Sequence, residues 1–597
     1  MSELFSPVFL LLVVIWPLLL AGAMVCKAAH STMLRLAPWA ALPALILAIF
    51  APAKITLQLP WLLLGSELGL ADDTGHVFLL FTALLWWLSG IYAWAYMSDK
   101  PSRSQFFVYF LLSMTGNLGL ILAQDLVSFY LFFTLMSFAA YGLVVHTRSN
   151  EALRAGQIYI VLVVIGEIAL FAAMILATIA AGSTEFETVR HKIAQAESRD
   201  LIMLLTFIGF GIKVGVLGLH AWLPLAHPVA PTPASAVLSG TMIKAGLLGW
   251  LRLLPLGEVA LLQWGKTFMF LGLAAAFYGA AVGLTQRNLK TLLAYSSISQ
   301  MGLMTTAVGL GLTTPEAYPA ILPVITLYAL HHCLCKGALF LGVGVVGVCS
   351  ATKKRWVRLA LWLPALALAG APLTSGMAVK FFLKAQSINA PQPWDLVVQT
   401  LLPWSAVATT LLVGRFLFLL YQPKAGGFNH LLPAGLVWPW ALLVTAAMVL
   451  PWWFVPNSPT LWSQAAVLDS LWPVLLGAVL TLAAVLWRTH HIRHQGAMPQ
   501  NTEQAPTDNL LPCIPPGDLL VPINRYITSA LTHGYRLAIE QLPHWRDARL
   551  ASLSRLWSDV KWWSIIRRIE SNLNHWSTAL VILVLLGLII TALGSIK

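Results

Sequence analysis

The chain contains uninterrupted apolar runs such as Phe9 to Met24 and Ala579 to Ile590, and many more of comparable length follow one another along it. A run of roughly 18 or more such residues is long enough to cross the hydrocarbon of a bilayer as a helix. In lipid every backbone N–H and C=O must be satisfied within the protein, which leaves only helical bundles and closed barrels. Barrel strands alternate apolar and polar residues, and these runs do not, so the expected fold is an all-α polytopic membrane protein. Only 10% of the 597 residues are charged, against roughly 25% in a soluble domain, which excludes a soluble enzyme.

Sixteen transmembrane helices are expected, near 6–25, 34–51, 76–96, 105–123, 126–146, 156–181, 201–222, 234–254, 264–284, 291–312, 318–349, 358–386, 398–420, 433–454, 468–488 and 577–595. The net charge of +13 then orients loops rather than binding nucleic acid. Lys27/Arg35, Lys100/Arg103, Arg148/Arg154, Arg287/Lys290, Lys353 to Arg358, Lys424 and Arg488/Arg493 fall on one side of this arrangement. Glu67/Asp72/Asp73, Glu185/Glu187, Glu258 and Glu316 fall on the other. The basic side is expected to be cytoplasmic, which puts both termini outside. The first run follows Met1-Ser2-Glu3 and precedes Lys27, the reverse of a secretory signal, so it is expected to be a retained helix.

Residues 489–576 cannot span. Arg546, Arg549, Arg555, Lys561, Arg567 and Arg568 are mixed there with Leu, Ile and Trp and broken at Pro543. The pattern fits amphipathic helices along the cytoplasmic interface or against a neighbouring subunit, or else a solvated linker. Five scattered cysteines (Cys26, Cys333, Cys335, Cys349, Cys513) make neither a disulfide framework nor a zinc or iron–sulfur ligand set, so no redox centre or cofactor is expected. Gly342-Val343-Gly344-Val345-Val346-Gly347 matches the dinucleotide-binding glycine spacing, but it lies inside an apolar run. It reads as a place where helices approach closely.

Ionisable residues within the apolar runs are the functional candidates, because each costs at least about 2.5 kcal/mol to insert. Lys213 sits in Ile212-Lys213-Val214-Gly215, with His220 two turns on and nearly on the same face; His227 follows among Pro224, Pro228 and Pro231, which are expected to break the helix. Lys244 is deep in the next span. His332 and Lys336 share a helix face at i,i+4, Lys380 and Lys384 repeat that spacing beside Pro372, and Glu167 is the carboxylate within its own run. Each alone could be a snorkelling or structural residue. Together, several lysines, histidines and an acid across different helices form what a proton relay needs. The histidines lack carboxylate or thiolate partners at ligand spacing, so no metal site is expected.

At these residues the chain resembles the antiporter-like membrane subunits shared by respiratory complex I, membrane-bound group 4 hydrogenases and Mrp cation/proton antiporters. The likeness is carried by Lys213 through Gly246, including Leu219-His220-Ala221-Trp222-Leu223-Pro224 and His227-Pro228-Val229-Ala230-Pro231; by His332 through Phe340; and by Ala369 through Lys380. It covers roughly residues 105–420. The resemblance implies two inverted five-helix repeats, 105–254 and 255–420, each with one broken helix. They would be preceded by the N-terminal helices 1–104 and followed by additional helices (421–488), the amphipathic segment (489–576) and a last helix (577–597). It further implies that Lys213, Lys244, His332, Lys336 and Lys380 lie along a proton pathway, and that the partners are other membrane subunits, protons and, in an antiporter, Na⁺ or K⁺. One departure stands out. The family pattern carries an acid before Leu-Met-Ser, where this chain reads Phe133-Thr134-Leu135-Met136-Ser137. Glu167 is the candidate replacement. Alternative readings are an antiporter-like subunit of an ion-coupled inorganic-carbon uptake complex, or a non-conducting scaffold.

Overall fold

The computed structural model describes residues 7–24, 30–60, 62, 65–100, 102–422, 434–494 and 514–517. Most of the amphipathic segment expected at 489–576, and the helix expected at 577–595, lie outside them.

The described residues form 21 α-helices and one small hairpin. In order the helices are α1 (Val8–Ala23), α2 (His30–Leu36), α3 (Leu42–Phe50), α4 (Asp73–Tyr96), α5 (Arg103–Leu122), α6 (Leu126–Val144) and α7 (Asn150–Ala181). Then come α8 (Phe186–Ile193), α9 (Arg199–Val214), α10 (Trp222–Val229), α11 (Thr232–Val237), α12 (Ile243–Leu253), α13 (Leu262–Thr285) and α14 (Leu289–Thr313). The rest are α15 (Tyr318–Val348), α16 (Ala351–Ala360), α17 (Trp362–Ala369), α18 (Ser375–Ser387), α19 (Trp394–Tyr421), α20 (Ala434–Val449) and α21 (Gln464–His494). Among the described residues, 11 helices are long and apolar enough to cross a membrane. The molecule is a polytopic helical membrane protein.

That count is below sixteen for identifiable reasons. α14 has the length but buries Ser296, Ser297, Ser299, Gln300, Thr305 and Thr306 inside the bundle, where contact with protein rather than lipid relaxes the need for apolar side chains. Other apolar runs are split. α9 ends at Gly215, whose φ of +81° suits glycine, and both Gly215 N and Val216 N donate to Gly211 O. α17 ends in the same way at Gly370, φ +84°, with Gly370 N and Ala371 N donating to Leu366 O. Prolines do end a helix here, since Ala230 and Pro231 are extended between α10 and α11, but the break next to Lys213 is made by Gly215. Pro224 sits in the first turn of α10, where its missing N–H costs little, Pro228 lies inside α10, and Pro231 occupies the link to α11. With the break at Gly215, Lys213 and His220 do not share a helix face.

The exception to all-helical structure is a hairpin of β1 (Ile55–Leu59) and β2 (Ser66–Leu70), paired antiparallel with Ile55 opposite Leu70. It docks on the start of α6, with Glu67 N of β2 donating to Asp125 Oδ2 at 2.9 Å. The connection after α7 meets the same end of α6, Leu126 N donating to Thr184 O at 2.9 Å, so Glu67 and Glu185 share one face. Glu258 joins them through ion pairs with Arg190 (3.5 Å) and His191 (2.9 Å) on α8, so the acidic face also carries basic residues that the loop pattern had left out. The glycine run of α15 packs closely: a Cβ at Gly342 would stand 2.9 Å from the Trp440 ring nitrogen, and one at Gly344 2.9 Å from Thr232.

Candidate functional site

The ionisable residues fall into three clusters along the buried interior. The first joins α6, α7 and the last turn of α9. Thr134 Oγ1 donates to Glu167 Oε2 at 2.6 Å, while Oε1 has no hydrogen-bond partner among the described residues. Lys213 Nζ donates to Ser137 Oγ at 3.1 Å and to Tyr159 OH at 3.3 Å, and the Phe133, Tyr159 and Trp222 rings lie 5.7 to 6.0 Å from the amine. Ser137 is one turn along α6 from Thr134, so this helix presents one hydroxyl to the acid and another to the amine. Glu167, Ser137 and Lys213 are all buried.

The second cluster is at the centre. Between α11 and α12 the helix widens into a π-helical turn, Leu238–Met242. Such a turn shifts carbonyls out of the regular ladder. Lys244 Nζ donates to Ser239 O of that turn at 2.8 Å and lies 2.6 Å from His332 Nδ1 of α15. One turn further along α15, Lys336 Nζ donates to Leu293 O at 2.8 Å. His332 and Lys336 do share a face, yet they reach different helices.

The third cluster surrounds the second broken helix. His331 Nδ1 lies 2.8 Å from Ser375 Oγ at the start of α18, and Lys380 Nζ donates to Ala369 O at 2.7 Å. That carbonyl belongs to the C-terminus of α17, where unsatisfied carbonyls favour a cation. Lys384 leaves the buried chain and pairs with Asp469 of α21. An ammonium brings three donors, but Lys336 and Lys380 each have one protein acceptor among the described residues, which leaves capacity for water.

Two expected histidines sit apart from these hydrogen bonds. His220 lies in the α9–α10 connection, buried, with its Nδ1 accepting from Gly218 N at 3.2 Å and its ring 5.5 Å from Tyr278. His227 in α10 is buried against Phe340, ring centroids 4.8 Å apart. Neither of its nitrogens has a partner among the described residues. The carbonyls around the α10–α11 link are taken up by Ser235 Oγ, which donates to His227 O at 3.0 Å, and by Lys290 Nζ, which donates to Ala230 O at 2.7 Å. Beside them a cavity of about 490 Å³ is lined by Pro228, Arg287, Asn288, Lys290, Val343 and Gln422, among others.

Sequence reasoning missed Ser137, Tyr159, His331, Ser375, Lys290 and Asp469. The His331-His332 doublet was visible, but adjacent residues on a helix point about 100° apart, and only the structure shows that the pair links two different helices.

Residues 123–402 match the family described as NADH:quinone oxidoreductase/Mrp antiporter, TM. That stretch is a little under half of the chain, and over it the chain is similar to that family. The chain is 30% identical over 292 residues to hydrogenase-4 component B of Escherichia coli, covering 47% of this chain and 44% of that protein. It is 32% identical over 354 residues to the putative antiporter subunit mnhA2 of Staphylococcus saprophyticus, covering 55% and 44%. The chain spans about half or less of the length of the curated relatives it matches. The fold is shared with the Mrp complex of Dietzia sp. (TM-score 0.68, 20% identity, covering 92% of this chain and 62% of that one). It is shared too with the archaeal membrane-bound sulfane sulfur reductase (TM-score 0.62, 20% identity, covering 80% and 99%). At these identities the two likenesses concern the fold alone.

Proposed function

We propose that the chain is a proton-conducting membrane subunit of a larger energy-coupling complex, seated in a bacterial inner membrane with other membrane subunits as its partners. The observation that carries the reading is the sequence of buried titratable groups from Glu167 and Lys213, through Lys244, His332 and Lys336, to His331 and Lys380. Each is held by a hydroxyl, a ring nitrogen or a backbone carbonyl, and for Lys244 and Lys380 that carbonyl belongs to an irregular turn or a helix end. Buried charge without a partner is expensive, and a core serving packing alone would hold apolar residues here. His220 and His227 lie beside this route, and Lys384 lies at its end.

The proposed architecture has sixteen spans if α1, α9, α14, the α17–α18 pair and the run 577–595 cross in addition to the 11 long helices. The repeats are 105–254 and 255–420. In each, the broken helix is the fourth of five spans, α9–α10 in the first and α17–α18 in the second, and an odd number of spans inverts the second copy. Residues 1–104, 421–488, 489–576 and 577–597 flank this core. The placement of Glu167 against Thr134 favours conduction over the scaffold reading, because the carboxylate missing from α6 is supplied by α7.

Proteoliposomes holding the chain with its co-purifying subunits, loaded with a pH-sensitive dye, test this. An imposed potential should drive proton flux that Lys244→Ala abolishes. Equal flux in both preparations, or none above empty vesicles in the wild type, overturns the reading. Repeating the assay with Na⁺ or K⁺ gradients distinguishes conduction from exchange.

A further inference from the structure

Lys384 and Asp469 form a short ion pair between α18 and α21. Asp469 lies outside the family match at 123–402, on a helix that joins the bundle against α19. Lys380, one turn before Lys384 on α18, faces the α17 carbonyl Ala369 O. The pair therefore stands one turn beyond the last lysine of the buried chain.

Two cavities meet at this pair. The inner one, about 50 Å³, is lined by Gly370, Lys380, Lys384, Asp469 and Ser470, among others. That volume holds at least one water, and the polar groups to bind it are present. The outer cavity, about 790 Å³, opens between α18, α19 and α21 and reaches Gln399, Thr460 and Ser463. Both cavities share Phe381, Lys384, Ala466 and Asp469, so these four side chains form the partition between them. The loop after α18 belongs to the same face as the loop after α14, since Thr314 Oγ1 donates to Asn389 O at 2.9 Å, and Glu316 marks that face as the acidic one.

We propose that the Lys384–Asp469 pair is the outlet gate of the proton route, opening on the face opposite the basic loops; this rests on the conduction reading above. The Lys380 ammonium gives its proton through water in the inner cavity to the Asp469 carboxylate, leaving a neutral amine and a carboxylic acid. The neutral acid no longer holds the Lys384 ammonium, and the pair parts. The acid then releases the proton to water in the outer cavity, and the regenerated carboxylate closes on Lys384 again. Lys380 takes up its next proton from the buried route behind it, so one proton crosses in each cycle and the charges of Lys380, Lys384 and Asp469 are all restored.

The test uses proteoliposomes carrying the complex with its chain unchanged or altered at Asp469 or Lys384. Asp469→Asn keeps the shape and an acceptor for Lys384 but cannot carry a proton, so flux should fall at least tenfold with assembly intact. Asp469→Glu restores a titratable group and should recover most of the flux. Lys384→Gln removes the latch and should raise proton leak in the absence of an imposed potential several-fold. Wild-type flux in Asp469→Asn, or equal loss in Asp469→Glu and Asp469→Asn with both assembled, overturns the gate while leaving conduction standing. Absence of flux in the wild type overturns the conduction reading and the gate with it.

Discussion

Thr134 Oγ1 donates a 2.6 Å hydrogen bond to Glu167 Oε2, so an acid on α7 occupies the place beside α6 where the family resemblance had led us to expect one on α6 itself. Ser137, one turn along α6, and Tyr159 on α7 hold the Lys213 amine. Glu167→Gln should therefore lower proton flux by about a hundredfold, the low end of what a positioned proton donor or acceptor contributes. Thr134→Val removes one neutral donor, worth about 1 kcal/mol, and should cost about fivefold or less. Adding Thr134→Glu to Glu167→Gln should restore part of the flux. A dye assay in vesicles checks all three; wild-type flux in Glu167→Gln with an inactive Thr134→Val would give the role to the hydroxyl instead.

The 2.6 Å approach of Lys244 to His332 joins α12 to α15. His332→Leu leaves the amine with Ser239 O and interrupts proton transfer toward Lys336, so flux should fall about a hundredfold. Cys333→Ser is the matched control. Its neighbouring side chain points instead to Phe81 O, 3.9 Å away, and the variant should conduct normally.

Much of this site was legible before the fold was known, because a lysine or histidine inside an apolar run announces itself by its cost. Lys213, Lys244, His332, Lys336, Lys380 and Glu167 could all be named in this way. Their pairing could not. Lys244 and His332 are 88 residues apart, and Lys384 and Asp469 85, and no local pattern encodes such contacts. The prolines announced the break between α10 and α11, but the stop at Gly215 was not read, because a glycine stop has the same sequence appearance as the close-packing glycines around it. Long apolar helices were legible even where protein encloses them, as at Thr232–Leu253, whereas the enclosed and more polar α14 does not reach the same apolar character.

Packing between α13 and α14 gives a prediction independent of transport. A Cβ at Gly272 would lie 2.5 Å from Gly302 O, closer than real Cβ atoms come, and the obstacle is backbone that cannot swing away. Gly272→Ala should destabilise the folded protein by about 1–3 kcal/mol, the usual range for overpacking. Thermal unfolding in detergent measures it, while flux per folded molecule should be nearly unchanged. An unaltered midpoint would show that the two helices part without cost.

The central claim is that a buried lysine carries the proton by gaining and losing charge, and Lys213 tests it most directly. Its amine is held by Ser137 and Tyr159 beneath three aromatic rings, so neither alanine nor arginine can substitute for it chemically. Alanine cannot titrate, and a guanidinium stays charged at every working pH. The measurement is proton flux into dye-loaded proteoliposomes carrying equal amounts of assembled wild-type, Lys213→Ala and Lys213→Arg protein. The account predicts flux in the wild type and background flux in both variants; wild-type flux in either variant would contradict it.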